Sequence, residues 1–375
     1  MKVVVANQLV PGSLWAHDIN VIRMAYGFAQ TGNETTLICL SVSGKTIAQS
    51  KKLAESLYGH HPNLTWHFVG SWWNSRLFHR SARAFSNAAL RLIQKQQPEF
   101  IYARDYLLPG MTTRSGFSTV VESHAHPTTD SPEFRQLIKD SAHENLKSWV
   151  TISESLGEPY VQMGVPQNKI MILPDAVDLD LFTRPKILPK KPFPKSSKIN
   201  VVYTGHLYDY KGIPTILGAA KLLNEVHFHL VGGWPEDIQR HCEVVESSGL
   251  KNVTLHGRKQ HNQIPTWLWH ADLLLLPPSE NHPSAAWTSP MKLAEYLASA
   301  TPVISSDIPA LRRWLTDEET LFVTPDDAQA LADGVLKLLA DPLRRSSMIE
   351  LGLTKAVEMS FKNRAYRILK GPDTQ

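Results

Sequence analysis

Residues 288–298 read TSPMKLAEYLA and place a serine, a lysine and a glutamate at helical spacing. Ser289 can cap a helix, and Pro290 suits its first position because no amide hydrogen is needed there. The free amides of that first turn and the partial positive charge of the helix end favour a phosphate, to which Lys292 adds a full charge. Glu295 lies one turn further on the same face, where its carboxylate can accept hydrogen bonds from two ribose hydroxyls. The pattern therefore predicts a phosphate and ribose site, although a capped surface helix with an ordinary lysine–glutamate pair would look the same.

A second candidate loop occupies residues 204–212, TGHLYDYKG, directly after an apolar run. Gly205 would let the backbone approach a phosphate closely, and Lys211 would supply charge. Lysine–glycine pairs are common in surface turns, so the pattern alone indicates little. Its position on the first predicted strand of the second half of the chain makes it a stronger candidate.

These residues must be positioned by elements that alternate along the whole chain. A continuous apolar run, typical of a strand buried on both faces, occurs at 3–6. The further strand candidates are 35–40, 64–69, 100–103, 119–122, 149–152, 170–173, 201–204, 227–231, 253–256, 273–276, 302–305 and 321–323. Helical patterns include 17–30, 214–223, 290–299, 328–339 and 348–369, the last with a break near Ser360. Strands that alternate with helices predict an α/β fold with parallel sheets covered on both faces.

The domain organisation follows from length and from one change of composition. At 375 residues the chain is too long for one ordinary core. Residues 184–198, RPKILPKKPFPKSSK, contain four prolines and are basic, which predicts a solvated linker rather than a helix or a central strand. Contact of its lysines with an anionic membrane is the alternative. We expect an N-terminal domain at 1–183, a C-terminal domain at 199–355, and a last helix at 356–375 that packs back on the N-terminal domain.

Composition excludes several functional classes. Hydrophobic residues make up 42% and charged residues 20%, as in globular proteins, and a net charge of +4 does not favour a nucleic-acid-binding protein. Cys39 and Cys242 are far apart, so no disulfide framework is expected and a cytoplasmic protein is the simplest interpretation. The apolar run at 3–6 is too short for a signal peptide or a bilayer span. We expect a cytoplasmic protein, at most attached to the inner membrane surface.

Histidine pairs raise the question of a metal. His227 with His229, and His124 with His126, have the spacing of one strand face and can bind zinc. With 16 histidines in the chain and no convincing third ligand, chance explains both pairs. No DxD arrangement stands at the end of a predicted strand. We therefore expect no metal and no cofactor.

The two candidate loops resemble those of a known family. Residues 288–304 are similar to the SPxKLFEYMAAGxPV signature in a branch of the family 4 glycosyltransferases, and 204–212 resemble the GRLxxxKG loop of that family. Weaker resemblances cover 11–17, 101–104, 121–124, 151–154 and 174–182, so the likeness extends over nearly the whole chain. It implies a GT-B-like α/β fold, in which two Rossmann-like doubly wound domains face each other across a cleft.

The resemblance also implies an activity and a set of roles. The activity is transfer of a hexose from a nucleotide-diphosphate sugar to a hydroxyl of a saccharide or lipid-linked glycan, with retention of anomeric configuration and without a metal. The implied diphosphate-binding residues are Gly12, Ser13, Gly205, His206, Lys211, Ser289, Pro290, Met291 and Lys292. Glu295 is implied for the ribose, Gly257 and Arg258 for the base, His17 and Arg104 for the acceptor, and Lys211, Lys292 and His124 for catalysis.

Some positions depart from the family pattern. Trp287 stands where the fuller motif has a first glutamate, and His206 replaces an arginine. Asp175-Ala176 replaces an asparagine–glycine pair, and Ala300 replaces a glycine. A nucleotide-sugar epimerase or hydrolase, or a non-catalytic sugar-nucleotide-binding protein of the same fold, therefore stays open. The sequence does not indicate the sugar, the base, the acceptor or the oligomeric state.

One segment suggests contact with a membrane. Trp72 and Trp73 precede a helical pattern with basic residues and interleaved apolar ones; the basic residues are Arg76, Arg80, Arg83, Arg91 and Lys95. Such a helix can lie on an anionic membrane, where a lipid-linked acceptor would be found. The preferred interpretation is an amphipathic helix packed on the N-terminal sheet.

Overall fold

The computed structural model describes residues 1–70, 75–128, 131–193 and 199–372, which form two compact units. The first unit comprises Met1–Pro174 and Phe361–Gln375, and the second comprises Asp175–Ser360. Trp72 and Trp73 lie outside the described residues, as do residues 194–198 of the predicted linker.

The first unit is built on a parallel sheet, seven-stranded within the described residues. Its strands are β1 (Lys2–Ala6), β2 (Glu34–Leu40), β3 (Leu64–Val69), β4 (Phe100–Ala103), β5 (Thr119–Ser123), β6 (Leu146–Thr151) and β7 (Ile170–Ile172). Its first helices are α1 (Ala16–Gln30), α2 (Ile47–Tyr58), α3 (Ser75–Arg80), α4 (Ala82–Gln96), α5 (Leu108–Arg114), α6 (Pro132–Asp140) and α7 (Glu154–Gln162). The strand order β3-β2-β1-β4-β5-β6-β7 is doubly wound, so loops after β1 and β4 meet where the winding reverses.

The second unit has its own parallel sheet, six-stranded within the described residues. Its strands are β8 (Ile199–Gly205), β9 (Val226–Gly232), β10 (Val253–Leu255), β11 (Leu273–Leu276), β12 (Val303–Ser306) and β13 (Leu321–Val323), in the order β10-β9-β8-β11-β12-β13. Its helices are α8 (Leu179–Phe182), α9 (Ile213–Leu222), α10 (Pro235–Ser247), α11 (Ile264–Trp269), α12 (Met291–Ala298), α13 (Pro309–Arg312), α14 (Ala328–Ala340) and α15 (Pro342–Glu358). The predicted pair of Rossmann-like α/β domains is confirmed.

Strands of the second sheet are buried on both faces, as their continuous apolar runs predict. Val202 and Leu274 belong to one buried apolar cluster, whereas their neighbours Val201 and Leu273 belong to another. Because successive side chains of a strand point to opposite faces, the two clusters cover the two sides of the sheet. Every predicted strand overlaps an observed one, although β6 begins at Leu146 and β8 at Ile199, three and two residues earlier than predicted.

The last helix, α16 (Phe361–Lys370), belongs to the first unit and packs against α1. The predicted break near Ser360 is present, because α15 ends at Glu358. Gly27 of α1 permits the contact, since a Cβ atom there would lie 2.4 Å from the carbonyl oxygen of Phe361. The two helices can therefore pack closely, which buries one side of α16 within the first unit.

The proline-rich segment is anchored over its described part, 184–193. Half of these residues are exposed, but Phe193 is buried and stacks on His229 with ring centroids 4.3 Å apart. The imidazole of His270 also bonds the carbonyl oxygen of Pro189 at 2.8 Å. This part of the predicted linker is therefore attached to the second unit, because burial of the Phe193 ring stabilises the contact although the neighbouring residues are polar.

Helix α4 is amphipathic and packed, in line with the preferred interpretation. Phe85, Ala89 and Ile93 lie in the apolar cluster of the first unit. Arg91 and Lys95 are exposed on the opposite side. The described part of the chain contains no helix that is both long and apolar enough to cross a membrane.

Candidate functional site

The carboxyl end of β8 is fastened to α12 through two side chains of that helix. The Thr204 amide donates to the Tyr296 hydroxyl at 2.8 Å, and Lys292 Nζ donates to the Thr204 carbonyl oxygen at 3.1 Å. Positions 292 and 296 are four apart and share one helix face, so the backbone N–H and C=O of Thr204 are both bonded by one helix. The Lys292 ammonium is thereby placed at the end of the strand, beside Gly205, where a Cβ atom would lie 3.1 Å from Nζ.

Lys292 and Lys211 form a cationic pair at this edge. Burial and repulsion from Lys211 lower the pKa of Lys292 well below its usual range, and Glu295 opposes that shift. Burial also lowers the pKa of Lys211. The Lys292 ammonium lies 3.9 Å from the ring centroid of Tyr203, and Lys211 lies 4.9 Å from that of Tyr210. Two poorly solvated cations this close together favour a bound anion.

The turn that carries Lys211 has a strict steric requirement. Gly212 has φ +84°, and a Cβ atom there would lie 1.7 Å from the carbonyl oxygen of Pro277, in the loop after β11. No other residue fits this position without displacing the loop. The lysine–glycine pair is therefore a packing requirement as well as a candidate anion site.

His206 lies in a row of stacked planar groups. Its ring is 5.0 Å from that of Tyr208 at an interplanar angle of 7°, and 6.1 Å from that of Trp234. The guanidinium of Arg258 lies over the Trp234 ring, 3.7 Å from its centroid. Burial, followed by repulsion from Arg258, Lys292 and Lys211, lowers the pKa of His206. The imidazole is therefore neutral near pH 7, unlike the arginine of the family pattern.

The predicted base-contact residues stand at the end of β10. Gly257 has φ +67°, and its carbonyl oxygen accepts the Gly232 amide at 3.0 Å. Arg258 follows and reaches Trp234. The structure thus brings Gly205, Gly257 and Arg258 to one edge of the second sheet, together with the cationic pair.

The capping role predicted for Ser289 is wrong. Helix α12 begins at Met291, with Pro290 as an extended N-cap residue and no side-chain cap. The Ser289 hydroxyl is buried and accepts the Asp175 amide at 3.0 Å instead. A contact between chain segments so far apart cannot be read from the local pattern, so Ser289 holds the loop before the helix rather than the helix itself.

Glu295 has a partner that the sequence did not indicate. The imidazole Nε2 of His261 lies 2.7 Å from Glu295 Oε1, and both side chains are largely buried. Phe182 packs on the His261 ring, with centroids 5.2 Å apart. One oxygen of the predicted ribose carboxylate is therefore held by an imidazole. His261 follows no motif, and only tertiary packing identifies it.

In the first unit, a polar cluster lies after β1, β4 and β5. Asn7 Nδ2 lies 2.8 Å from His17 Nε2, and His124 Nε2 lies 2.5 Å from Glu122 Oε1. Burial, followed by Arg104 and His124, lowers the pKa of His17 to about 3, against the influence of Glu122. His17, Arg104 and His124 are thus near neighbours, and His17 is neutral near pH 7.

Gly12 and Ser13 lie in the loop between β1 and α1. The Gly12 amide donates to the Tyr58 hydroxyl at 3.3 Å, and the Ser13 hydroxyl accepts the Trp15 amide at 3.2 Å. Asp18 links this loop to the polar cluster: burial raises its pKa, while Ser13 and Arg104 lower it. The predicted acceptor residues and this loop therefore form one group within the first unit.

Two functional candidates were missed although the sequence carried a signal for them. Glu122 is two residues before His124 at the end of a strand, so both fall on one face. Arg364 lies on the apolar stripe of α16 with Phe361 and Ile368, where a charged residue needs a buried partner. Among the described residues no group of three or more His, Cys, Asp or Glu side chains could hold a metal ion.

The fold is that of the GT-B glycosyltransferases, and comparison with solved structures supports this fold. Residues 198–341 match the family model described as "Glycosyl transferases group 1". Among solved structures, sucrose-phosphate synthase from Thermosynechococcus elongatus has a TM-score of 0.72 at 18% identity. The match covers 98% of this chain and 97% of the synthase chain. Anabaena HepE, solved with UDP and with UDP-glucose, has a TM-score of 0.70 at 14% identity and 99% coverage of both chains.

Relatives in sequence carry glycosyltransferase names. WcaL of Escherichia coli (strain K12), named as a glycosyltransferase of colanic acid biosynthesis, is 26% identical over 211 residues, which is 54% of this chain and 48% of WcaL. A D-inositol 3-phosphate glycosyltransferase from Xylanimonas cellulosilytica is 26% identical over 200 residues, 49% of this chain and 46% of its own. The match thus spans about half the length of each relative.

Proposed function

We propose that this protein is a glycosyltransferase that moves a sugar from a nucleotide-diphosphate sugar to a hydroxyl acceptor with retention of anomeric configuration. The observation that carries the proposal is the pair Lys211 and Lys292 at the carboxyl end of β8, within the region that matches the family model. Carboxyl ends of parallel strands are where nucleotides bind in doubly wound sheets. The HepE structures with UDP and UDP-glucose support the same class of donor.

In this proposal the two lysines stabilise the charge that develops on the departing diphosphate. Cations held in a partly desolvated site act more strongly on such charge than they do in water. Gly205 would let the phosphates approach the backbone, and neutral His206 would donate a hydrogen bond rather than a charge. These diphosphate contacts would come from the second unit, and Gly12 and Ser13 of the first unit stay candidates for the same role. We propose that no metal is required.

The remainder of the donor would extend along the same edge. Glu295 would accept hydrogen bonds from the ribose with the oxygen that His261 leaves available. The base would lie against Gly257 and Arg258, beside Trp234, whose ring already stacks with the guanidinium. This placement is consistent with the parallel sheet, in which β8 and β9 are neighbours and β10 follows.

For the transfer itself, the acceptor oxygen would form a bond to the anomeric carbon on the face from which the diphosphate departs. The bond between that carbon and the phosphate oxygen breaks, and the departing phosphate takes the acceptor proton. No pair of carboxylates like that of a retaining glycosidase is required. We assign the acceptor side to His17, Arg104 and His124 of the first unit, and a saccharide or lipid-linked glycan as the acceptor.

The first test is a thermal-shift panel with UDP, GDP, ADP and CMP, each with and without EDTA. A ligand at 100 times its dissociation constant adds about 2.7 kcal/mol of stability, which raises the melting temperature by several degrees. We expect one diphosphate to stabilise the wild type independently of EDTA, and Lys292→Ala to abolish the shift. Lys221→Ala, at an exposed position of α9, is the matched control and should retain it.

Turnover then separates the alternatives. The nucleotide sugar that corresponds to the stabilising diphosphate is incubated with and without saccharide acceptors, and the products are identified by NMR. Transfer with the donor's anomeric configuration is expected. Hydrolysis or epimerisation without an acceptor would identify a different enzyme of this fold, and binding without any turnover would identify a sugar-nucleotide-binding protein. Absence of any nucleotide shift would refute the donor site.

A further inference from the structure

A chain of three charged or polar side chains crosses the first unit from its last helix to its candidate site. Arg364 Nη1 of α16 donates to Glu122 Oε2 at 2.6 Å, and Glu122 Oε1 lies 2.5 Å from His124 Nε2. Glu122 is 1% exposed and Arg364 is 3% exposed. One carboxylate thus joins a guanidinium to an imidazole through its two oxygens.

Local structure explains how these residues meet. Glu122 lies near the end of β5, and His124 is the first residue after that strand, so the two side chains are close along the chain. Arg364 occupies the buried stripe of α16, whose packing on α1 depends on the missing side chain of Gly27. Arg364 Nε also donates to the Pro174 carbonyl oxygen at 2.8 Å, so two bonds fix the guanidinium plane.

The electrostatic balance keeps the carboxylate ionised. Burial alone raises the pKa of Glu122, but Arg364, His124 and Arg104 outweigh it and hold this pKa well below the usual range. An ionised carboxylate accepts hydrogen bonds and donates none, so the proton in the short contact belongs to His124 Nε2. In the neutral imidazole the lone pair is then on Nδ1, the other ring nitrogen.

We propose that Arg364 and Glu122 are positioning residues that hold His124 in one ring orientation and one tautomer, with Nε2–H donated to Glu122 and the lone pair on Nδ1. The role in turnover rests on the proposed function, whereas the relay itself is a property of the ligand-free protein. Arg364 acts only through Glu122, and Glu122 acts only through His124. The last helix therefore contributes to the candidate site without reaching it.

Other titratable groups face the relay and limit its behaviour. Arg104 carries a positive charge near Glu122, and His17 is neutral near pH 7. The Tyr102 hydroxyl also faces Glu122, and burial with that carboxylate raises its pKa. Removal of the Glu122 charge and removal of the Arg364 charge should therefore shift the titration midpoint of His124 in opposite directions.

The test is a pH titration of the histidine side chains by ¹⁵N NMR in the ligand-free protein, with His124 assigned by His124→Gln. Wild type should show the proton of neutral His124 on Nε2. Glu122→Gln should lower the midpoint of its titration by about one pH unit or more, because an attractive charge is lost. Arg364→Met should raise the midpoint, because Glu122 then acts on His124 without compensation.

Arg364→Met removes the guanidinium partner of a buried carboxylate and can prevent folding. The double variant Glu122→Gln with Arg364→Met removes both charges and is expected to fold, and its midpoint should lie below that of the wild type but above that of Glu122→Gln. Arg364→Lys, which retains the charge, should lie near wild type. A proton on Nδ1 in the wild type, or Glu122→Gln and the double variant without a lowered midpoint, would overturn the relay.

Turnover provides the second readout once a donor is known. Glu122→Gln should lower kcat by roughly 10-fold or more, because His124 loses the partner that orients its ring, with little change in donor KM. Arg364→Met should also lower kcat, and Arg364→Lys, which keeps the charge, should retain most of the wild-type kcat. Failure of the proposed function would appear as a wild type that binds and converts no nucleotide sugar. Failure of the relay would appear in the NMR titration, which needs no ligand.

Discussion

Acid should destabilise the second unit through two histidines on neighbouring strands. His229 of β9 is 3% exposed; its Nδ1 lies 2.9 Å from His256 Nε2, and its Nε2 lies 3.1 Å from Asn200 Oδ1. Phe193 stacks on His229, and Trp267 packs on His256 with centroids 4.4 Å apart. The hydrogen bond between the two rings needs one of them as an acceptor, so protonation of both must break it.

The direction of the effect follows from the pKa values. Burial, followed by repulsion from His227, His256 and Lys191, lowers the pKa of His229 from 6.5 to about 3. Burial, followed by Lys259 and His227, lowers that of His256 to about 4. The unfolded chain therefore binds more protons than the folded one below pH 6.5. The stability is fully present above that pH and is lost as the pH falls from 6.5 towards 4.

The magnitude can be worked out from the same values. A proton bound only by the unfolded chain costs about 1.4 kcal/mol per pH unit, so each independent site would lose about 2 kcal/mol between about pH 7 and 5. The two rings share one hydrogen bond and each retains some contact with solvent, which reduces the effect. We expect a combined loss of about 2 kcal/mol in the free energy of unfolding of the second unit.

The assay is urea unfolding at about pH 7 and 5, with hydrogen exchange of peptides from β9 and β10 to report on the second unit alone. His256→Gln keeps a hydrogen-bonding partner for His229 but removes one titrating group, so the loss should fall to about 1 kcal/mol. His60→Gln, whose side chain is 73% exposed, is the matched control. An acid loss in His256→Gln equal to that of the wild type would refute the reasoning.

Three further predictions concern the second unit. His261→Phe should weaken nucleoside-diphosphate binding about 5- to 10-fold, measured by calorimetry, because Glu295 loses a hydrogen bond worth about 1 to 1.4 kcal/mol. Gly212→Ala should lower the free energy of unfolding by more than about 2 kcal/mol in urea denaturation, because its Cβ atom would overlap a backbone carbonyl oxygen. Tyr296→Phe should cost about 1 to 3 kcal/mol in the same assay, because the buried amide of Thr204 loses its acceptor.

Each of these has a matched comparison. Wild type and His261→Phe should bind a 2′,3′-dideoxynucleoside diphosphate equally, since the difference arises at the ribose; an equal loss with that ligand would count against the assignment. Gly32→Ala has φ +85° but no atom within 4 Å of the added Cβ, so it should cost less than Gly212→Ala. Tyr366→Phe, at a half-exposed position, should leave stability within about 0.5 kcal/mol of wild type, and a loss as large as that of Tyr296→Phe would contradict the hydrogen-bond argument.

The positions of the strands were predictable because burial on both faces leaves a local trace. A run such as 273–276, four leucines in succession, needs no information from elsewhere in the chain to be recognised as a buried parallel strand. The break near Ser360 was predictable for a similar reason, since the apolar period is interrupted there. The two-domain α/β architecture follows from the order of these elements.

The candidate lysines were also predictable, because their loops lie directly after recognisable strands or before a recognisable helix. Lys211 follows β8, and Lys292 is the second residue of α12, so both are expected at the carboxyl edge of a parallel sheet. The hydrogen bond from Lys292 to the end of β8 was not predictable. It depends on the distance between a helix and a strand that are far apart in sequence.

Tertiary structure alone decided which partners these residues have. Ser289 bonds Asp175 rather than its own helix, Glu295 meets His261, and Glu122 meets Arg364 from the last helix. The pattern of a sequence reports whether a residue is buried in its own element, and so it can mark a buried charge that needs a partner. It does not report which distant side chain packing brings within hydrogen-bond distance, and in this protein that choice sets the charge and orientation of the candidate site.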